Sequence, residues 1–167
     1  MKYLLFLFFF FIAADVRALP NPTEDRLRLV HMLLGEAGWR PANDHPAILH
    51  VLERRRQRAG LTLTEMAEAY SAFLKPAKPS ANDLPHRESV YALTLETAPQ
   101  WVVKLVDAFI QAPETVPDPC KGQAWNWGSP GDFLVSKLNR VDCGDTNNVF
   151  CGNKVRDVEV TNAPNHH

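Results

Sequence analysis

The sequence lacks an excess of charge of either sign. Its 18 Lys and Arg residues nearly balance its 19 Asp and Glu residues, which leaves a formal net charge of −1 at pH 7. Proteins that bind nucleic acid or anionic lipid electrostatically carry a basic surplus. The composition therefore does not support either partner. Internal repeats and low-complexity tracts are also missing, so we expect a single folded domain over residues 19–160 and a monomeric protein.

No hydrophobic run is long enough to predict a transmembrane helix. The run Tyr3–Ala14 falls short of the roughly 20 apolar residues that span a bilayer. It follows the basic Lys2, and it precedes Val16 and Ala18, which are compact residues at the spacing of a signal-peptide cleavage site. We predict a signal peptide over residues 1–18 and a secreted or periplasmic protein without stable membrane insertion after cleavage. An uncleaved membrane anchor is the alternative.

Cysteine is scarce, and the three residues present lie in the last third of the chain. Export permits a disulfide, and an odd count leaves one cysteine outside it. Cys120 with Cys143 would close a long loop, whereas Cys143 with Cys151 would join the ends of a short hairpin. Both pairings remain open from the sequence.

Recognisable metal-binding motifs are absent as well. The sequence has no HExxH, and His45 and His50 lack the i, i+4 spacing that places two ligands on one helix face. His31 lies inside the first predicted helix. We interpret the three as a helix cap, a surface residue and a packed residue, and we predict neither a metal nor another cofactor.

What the sequence does contain is a set of amphipathic patterns that predict a mainly α fold. Apolar residues recur at helical spacing in five segments, most of them bounded by capping residues, prolines or glycines. The segments are Pro22–Gly38 after the cap Asn21, Asp44–Gly60 with Asp44 or His45 as cap, Thr62–Phe73, His86–Thr97, and a last helix that follows Pro99 and runs through Ile110.

After Gln111 the composition changes, because frequent prolines and glycines exclude long helices. Only short strands are predicted there, at Leu134–Val135, Val149–Phe150 and Val158–Val160. Residues 161–167 are expected to be a disordered tail. The predicted architecture is a helical body followed by an irregular, short-stranded C-terminal lobe that a disulfide clamps.

Glu36 is the candidate catalytic residue. It follows Leu29 and Leu33 on one apolar helical stripe, at i+7 and i+3 from them. Apolar surroundings disfavour the charged form of a carboxyl group, and a neutral carboxylic acid can protonate a glycosidic oxygen. The alternative is an ordinary helix-end acid, either solvated or paired with Arg40 or Arg55.

Four aromatic residues are candidates for sugar binding. Trp125 and Trp127 lie in a loop framed by glycine and proline, where burial of both in a small core is not expected. Indole faces are apolar and can stack on sugar rings. Trp39 and Tyr70 could extend the same wall. The alternative for each tryptophan is a structural plug beneath the loop.

The residues around Glu36 resemble a known family. Gly35-Glu36-Ala37, followed 18 residues after the acid by Arg54 at the end of AILHVLER, is similar to the start of the SleB-type cell-wall hydrolases, the spore cortex-lytic enzymes. Further segments fit the family pattern in order: Tyr70-x-x-Phe73, Pro99-x-Trp101, Ala124–Gly128 and Asn148-Val149-Phe150.

The resemblance implies a lysozyme-like fold and lytic transglycosylase activity on peptidoglycan, between N-acetylmuramic acid and N-acetylglucosamine. Glu36 would be the one catalytic residue, acting as acid and then as base. Asp44 is the only other acid near it in the sequence that could serve as a second carboxylate. The expected substrate-binding residues are Trp39, Tyr70, Trp125, Asn126, Trp127 and Phe150.

Several positions depart from the family pattern. Trp39 and Arg40 lie in the segment after the acid, where Arg-Gly-Glu is usual. Asn126 stands where His is common, and Glu53 replaces the Asn of Leu-Asn-Arg and is expected on a solvated helix face. These departures leave a non-catalytic glycan-binding or envelope-structural protein as the alternative function. A metal-dependent amidase is a third possibility.

Overall fold

The computed structural model describes residues 22–75, 83–131 and 139–152. The predicted signal peptide, the cap Asn21, the tail and the strands at Leu134–Val135 and Val158–Val160 lie outside these ranges. Within them, no helix is both long and apolar enough to cross a membrane.

The fold is mainly α with a small antiparallel sheet near the C-terminal end, which confirms the predicted fold class. The elements in chain order are helices α1 (Pro22–Ala37), α2 (Asp44–Ala59), α3 (Leu63–Tyr70), α4 (Leu84–Tyr91) and α5 (Gln100–Gln111), a 3₁₀ turn (Pro113–Thr115), and strands β1 (Asn126–Gly128), β2 (Arg140–Val141) and β3 (Val149–Cys151).

Local signals determine most of the helix ends. Gly38 follows α1 with φ of +88°, and Gly60 ends α2 in the left-handed conformation, which glycine adopts without steric cost. At the start of α3, Thr62 and Glu65 form the predicted capping box. The prediction for the end of α3 is wrong: Ser71 is extended, so Phe73 lies beyond the helix.

Helix α1 forms the centre of the body and contacts each of the other four helices. Its apolar face merges with those of α2 and α5 into one core that extends to the C-terminal lobe. In α5, Val102, Val106 and Phe109 are buried as predicted, whereas Ile110 is 46% exposed. The sequence pattern therefore located the α5 stripe but made it one residue too wide.

The C-terminal lobe is a three-stranded sheet with the order β1-β3-β2, in which both pairs are antiparallel. Strand β3 lies where the apolar pair Val149–Phe150 predicts a strand, whereas β1 and β2 lack a run of apolar residues and are not predicted. A disulfide joins Cys120 to Cys143 and confirms that candidate pairing. Cys151 takes no part in it and is buried in β3.

Two arginines of α2 attach this lobe to the helical body. Arg54 donates to the carbonyl oxygen of Ala124 at 2.6 and 2.9 Å and to Asp118 at 2.7 Å. Arg55 donates to the carbonyl oxygen of Trp125 at 2.6 Å. Burial would raise the pKa of Asp118, but hydrogen bonds from backbone N–H groups and from Arg54 outweigh it and lower that pKa.

The solvated face predicted for α2 is only partly correct. Glu53 is 8% exposed, and it pairs with Arg56 and accepts a hydrogen bond from Gln57 on the next turn. The helix therefore presents a paired acid at this position rather than a free one.

Candidate functional site

The carboxylate of Glu36 is held by three hydrogen-bond donors from two distant parts of the chain. Oε1 accepts from the Ser71 hydroxyl at 2.6 Å and from the Phe73 backbone N–H at 2.9 Å. Oε2 accepts from the Trp127 indole N–H at 3.3 Å. Glu36 is half-buried at the end of α1. The segment after α3 and strand β1 therefore fix the carboxylate from two sides.

A glycine allows the Phe73 segment to come this close to α1. A Cβ placed on Gly35 would lie 2.1 Å from the Phe73 ring, far inside van der Waals contact. Glycine inside a helix costs about 1 kcal/mol relative to alanine. The glycine lets the Phe73 ring pack onto the backbone of α1, and the backbone N–H of Phe73 then reaches the Glu36 carboxylate. Gly35 is thus a structural requirement of the site.

Ser71 is a site residue that the sequence reasoning missed. It is fully buried. Its hydroxyl oxygen accepts hydrogen bonds from the backbone N–H groups of Phe73 and Leu74, and its O–H group donates a hydrogen bond to Glu36. The apolar spacing predicts helix through Phe73, and this serine would then be one more helical position. The available signal was a small hydroxyl residue at the end of a short helix, where such side chains often hydrogen-bond the local backbone.

Neither arginine considered as an ion-pair partner contacts the Glu36 carboxylate within the described residues. Arg40 is exposed beyond the turn. Arg55 contacts other groups instead. It donates to Trp125 and Asn126, and its guanidinium stacks over the Tyr70 ring at 3.9 Å. Burial lowers the pKa of Arg55, and the interaction with Tyr70 opposes that shift.

Asp44 is a structural clamp rather than a helix cap or a second catalytic carboxylate. It is fully buried, and its two oxygens accept from the backbone N–H groups of Asn147 at 2.9 Å and Asn148 at 2.7 Å. The Asn148 side chain in turn donates to the carbonyl oxygen of Glu36 at 3.0 Å. These bonds join the ends of α1 and α2 to the C-terminal lobe.

The three histidines considered for metal binding are packed against backbone oxygens. His45 is fully buried, and its ring nitrogens face the carbonyl oxygens of Gly38 and Ala42 at 3.0 and 3.2 Å, which corrects its assignment as a helix cap. His31 and His50 bond carbonyl oxygens at 3.1 and 2.8 Å. In the described ranges, no group of three or more His, Cys, Asp or Glu side chains could hold a metal ion.

Two open cavities are lined by sequence neighbours of Glu36 or of its hydrogen-bond donors, although Glu36 itself lines neither. The first, which we call the Trp39 cavity, has a volume of about 650 Å³ and begins at the next residue, Ala37. The second, the Tyr70 cavity, has a volume of about 330 Å³. Its wall includes Tyr70 and Asn126, which directly precede the Glu36 donors Ser71 and Trp127 in sequence. The Tyr70 cavity is therefore connected to the Glu36 site through the chain segments that carry these two donors.

The predicted sugar-binding residues fall into separate groups in the structure. Trp127 contacts Glu36 itself, and it is partly buried against the core. Tyr70, Trp125 and Asn126 line the Tyr70 cavity, where Tyr70 is 48% exposed. Trp39 is 40% exposed and lines the Trp39 cavity.

The assignment of Phe150 as a substrate-binding residue is wrong. Its ring is 1% exposed and belongs to the core. It pairs with Trp127 across β1 and β3, so it supports the strand from which the Trp127 indole reaches Glu36. A ring without solvent contact cannot stack on a ligand.

Comparisons of the chain with protein-family models, curated proteins and solved structures found no match.

Proposed function

We propose that this protein is a secreted peptidoglycan glycosidase of the lytic transglycosylase type, which cleaves the bond between N-acetylmuramic acid and N-acetylglucosamine. The observation that carries the proposal is the position of Glu36, a half-buried carboxylate at the end of α1 that is held by Ser71, Phe73 and Trp127. The Trp39 cavity begins at the next residue, Ala37, and provides room for a sugar unit near the acid.

Two further features support this proposal. The motifs that resemble the SleB-type hydrolases include Glu36 and the strand that bears Trp127, which meet at this site. The Cys120–Cys143 disulfide is typical of proteins that work in an oxidising compartment, as a secreted or periplasmic protein does.

The two carboxylate oxygens of Glu36 differ in their hydrogen bonds. Oε1 accepts from Ser71 and the Phe73 N–H, whereas Oε2, among the residues that the structure describes, accepts one longer bond, from Trp127. A carboxylate oxygen can accept more than one hydrogen bond. We assign Oε2 as the atom that carries the transferred proton, with Ser71 and Phe73 holding the group in position.

The proposed reaction uses one carboxylate. Glu36 donates its proton to the glycosidic oxygen, so that N-acetylglucosamine leaves with a free 4-hydroxyl. The 6-hydroxyl of the muramic acid then attacks its own C1 and returns a proton to Glu36, which leaves a 1,6-anhydro ring. Two-carboxylate glycosidases place a second acid across the scissile bond. Asp44, which was the candidate, is fully buried and bonded through both oxygens.

The test is muropeptide release from purified sacculi. Wild-type protein should release anhydro-muropeptides and reduce turbidity. Glu36→Gln should release at least about a hundredfold less product, as expected when an acid catalyst is removed. The control Glu114→Gln, at an exposed position, should match wild type. Ser71→Ala should retain folding and lose part of the activity, because the carboxylate is held less firmly. Full activity of Glu36→Gln, or no product from wild type, contradicts the proposal.

A non-catalytic glycan-binding protein is the second candidate, and one observation favours it. Within the described residues, the groups that contact the Glu36 carboxylate are N–H and O–H donors, and such contacts also suit a carboxylate that only anchors the lobe. On this alternative, sacculi retain the protein without any product, and Trp125→Ala abolishes retention while Glu36→Gln lowers folding stability.

A further inference from the structure

The Tyr70 cavity has an unbalanced set of charges. Among the described residues, its lining contains two arginines and no acidic side chain: Arg55, Arg58, Ala59, Met66, Tyr70, Trp125 and Asn126. The whole chain is nearly neutral, with a net charge of −1. Positive charge is therefore concentrated at this cavity, where a concave wall would focus its field on a bound ligand.

The two arginines differ in what they contact. Arg55 stacks over the Tyr70 ring, and it donates from Nε to the carbonyl oxygen of Trp125 and from Nη2 to the side chain of Asn126. Arg58 is exposed, and its guanidinium lies over the Trp125 ring at 3.7 Å. Within the described part of the chain, Arg58 makes no ion pair, whereas other arginines do. Those with carboxylate partners include Arg26 with Asp107, Arg28 with Glu24 and Glu68, Arg54 with Asp118, and Arg56 with Glu53.

Stacking on Trp125 orients Arg58 without using its hydrogen-bond donors. The ring contacts the face of the guanidinium, so the N–H groups along its edge stay available. A guanidinium edge matches the two oxygens of a carboxylate in a bidentate pair. The neighbouring Tyr70 ring is 48% exposed although Arg55 stacks over it at 3.9 Å, and its exposed part adds an apolar surface for a sugar ring.

We propose that the Tyr70 cavity is a subsite for a carboxylate-bearing sugar unit, and that Arg58 is the residue that selects the carboxylate. The inference rests on the proposed function in one respect, namely that the ligand is a peptidoglycan strand. Such a strand carries carboxylates from two sources. One is the lactyl group of a muramic acid whose peptide has been removed, and the other is the peptide stem.

Binding can be measured apart from cleavage in the Glu36→Gln protein, by titration calorimetry at low salt. The probes are glycan strands stripped of peptides, the same strands with their carboxylates converted to neutral amides, and strands that retain their peptide stems. Arg58→Gln is compared with Lys104→Gln, which removes one exposed positive charge from α5, outside the cavity. Arg58→Lys keeps the charge without the planar guanidinium.

We expect carboxylate-bearing strands to bind about tenfold more tightly than amidated strands, the effect of one hydrogen bond to a charged group. Arg58→Gln should remove this difference, Arg58→Lys should restore part of it, and Lys104→Gln should leave it unchanged. A preference for stripped strands identifies the lactyl carboxylate, and a preference for stem-bearing strands identifies the peptide. Equal or undetectable binding of all three probes, or a preference that persists in Arg58→Gln, overturns the inference.

The two proposals can fail separately. If wild type does not cleave sacculi but the Arg58-dependent preference is present, the glycosidase proposal fails and the subsite stands. If cleavage depends on Glu36 but the strands bind equally, only the subsite is refuted.

Discussion

Gly35 and Ser71 show how single residues prepare the surroundings of Glu36. Gly35 has no side chain, so the Phe73 ring can rest on the backbone of α1. Ser71 lies fully buried, and it links the turn after α3 to the Glu36 carboxylate. Neither residue has a chemically reactive role in the proposed reaction. Both are needed to hold the carboxylate in one position.

Gly35→Ala should destabilise the protein although alanine is the better helix former. The added methyl group would meet the Phe73 ring at 2.1 Å. Overpacking of this kind typically costs about 1–3 kcal/mol, which exceeds the helix-propensity gain of about 1 kcal/mol. Urea unfolding followed by circular dichroism measures the change. Gly131→Ala is the control, since open space surrounds that position, and an equal effect in both variants would contradict the packing argument.

His31 should make folding stability depend on pH below neutrality. Burial lowers the pKa of His31 below its ordinary 6.5, with an opposing contribution from the bond to the Leu93 carbonyl oxygen. As pH falls below 6.5, the unfolded chain binds a proton at this residue before the folded chain does, so stability decreases until the folded pKa is reached.

The measurement for His31 is the free energy of unfolding between pH 7 and pH 5. His31→Gln keeps a polar side chain at this position but has no proton to gain, so its stability should fall less steeply over this interval. Identical pH profiles for wild type and His31→Gln would rule out a contribution from His31.

At the scale of elements, the C-terminal lobe is attached to the ends of two helices as well as to the arginines of α2. Asp44 at the start of α2 accepts from Asn147 and Asn148, and Asn148 donates to Glu36 at the end of α1. Asn43 adds a bond to the Cys143 carbonyl oxygen at 3.2 Å. Because the ends of two helices meet here, a rotation of the lobe would also move the surroundings of Glu36.

Asp44→Asn should weaken the attachment of the lobe near Asn147 and Asn148. The amide can accept through one oxygen only, so one of the N–H groups of Asn147 and Asn148 would lose its partner inside the protein. A buried unsatisfied group costs about 1–3 kcal/mol. Asp107→Asn is the matched control, because its partly exposed pair with Arg26 should contribute below about 1 kcal/mol. Hydrogen exchange should show earlier opening at Asn147 and Asn148 in Asp44→Asn, and unchanged protection there would contradict the clamp.

At the scale of the whole molecule, one core joins the helical body to the lobe, and the disulfide between Cys120 and Cys143 clamps the lobe itself. The core runs from Leu29 in α1 to Phe150 in β3. The disulfide between Cys120 and Cys143 closes a loop with a sequence separation of 23 that includes β1 and β2. Closing a loop of that length stabilises a protein by roughly 3 kcal/mol in the chain-entropy description.

Reduction of the disulfide should therefore lower the midpoint temperature of unfolding. The double variant Cys120→Ser and Cys143→Ser should likewise lose roughly 3 kcal/mol of the free energy of unfolding. Cys151→Ala is the control, since Cys151 lies outside the disulfide and burial raises the pKa of its thiol. This variant should retain the response to reductant. If it loses that response, the pairing assigned here is incorrect.

Local interactions made several features predictable from the sequence. The ends of α1 and α2 follow from Gly38 and Gly60, and the start of α3 follows from the capping box of Thr62 and Glu65. The position of Glu36 at the end of an apolar helical stripe is predictable for the same reason. Each of these features depends on residues within about one or two helical turns.

The sequence by itself thus determined the mainly α class, the helix limits near glycines and caps, and the candidate acid. Only the tertiary structure decided which side chains meet that acid. The Glu36 partners Ser71 and Trp127 lie 35 and 91 residues away along the chain. A local sequence pattern does not predict contacts between residues so far apart. The same holds for Asp44, which was expected as a helix cap and instead bonds Asn147 and Asn148. It also holds for Phe150, which was expected to bind substrate and instead lies in the core. Their roles depend on packing between distant segments, which periodicity and capping do not specify.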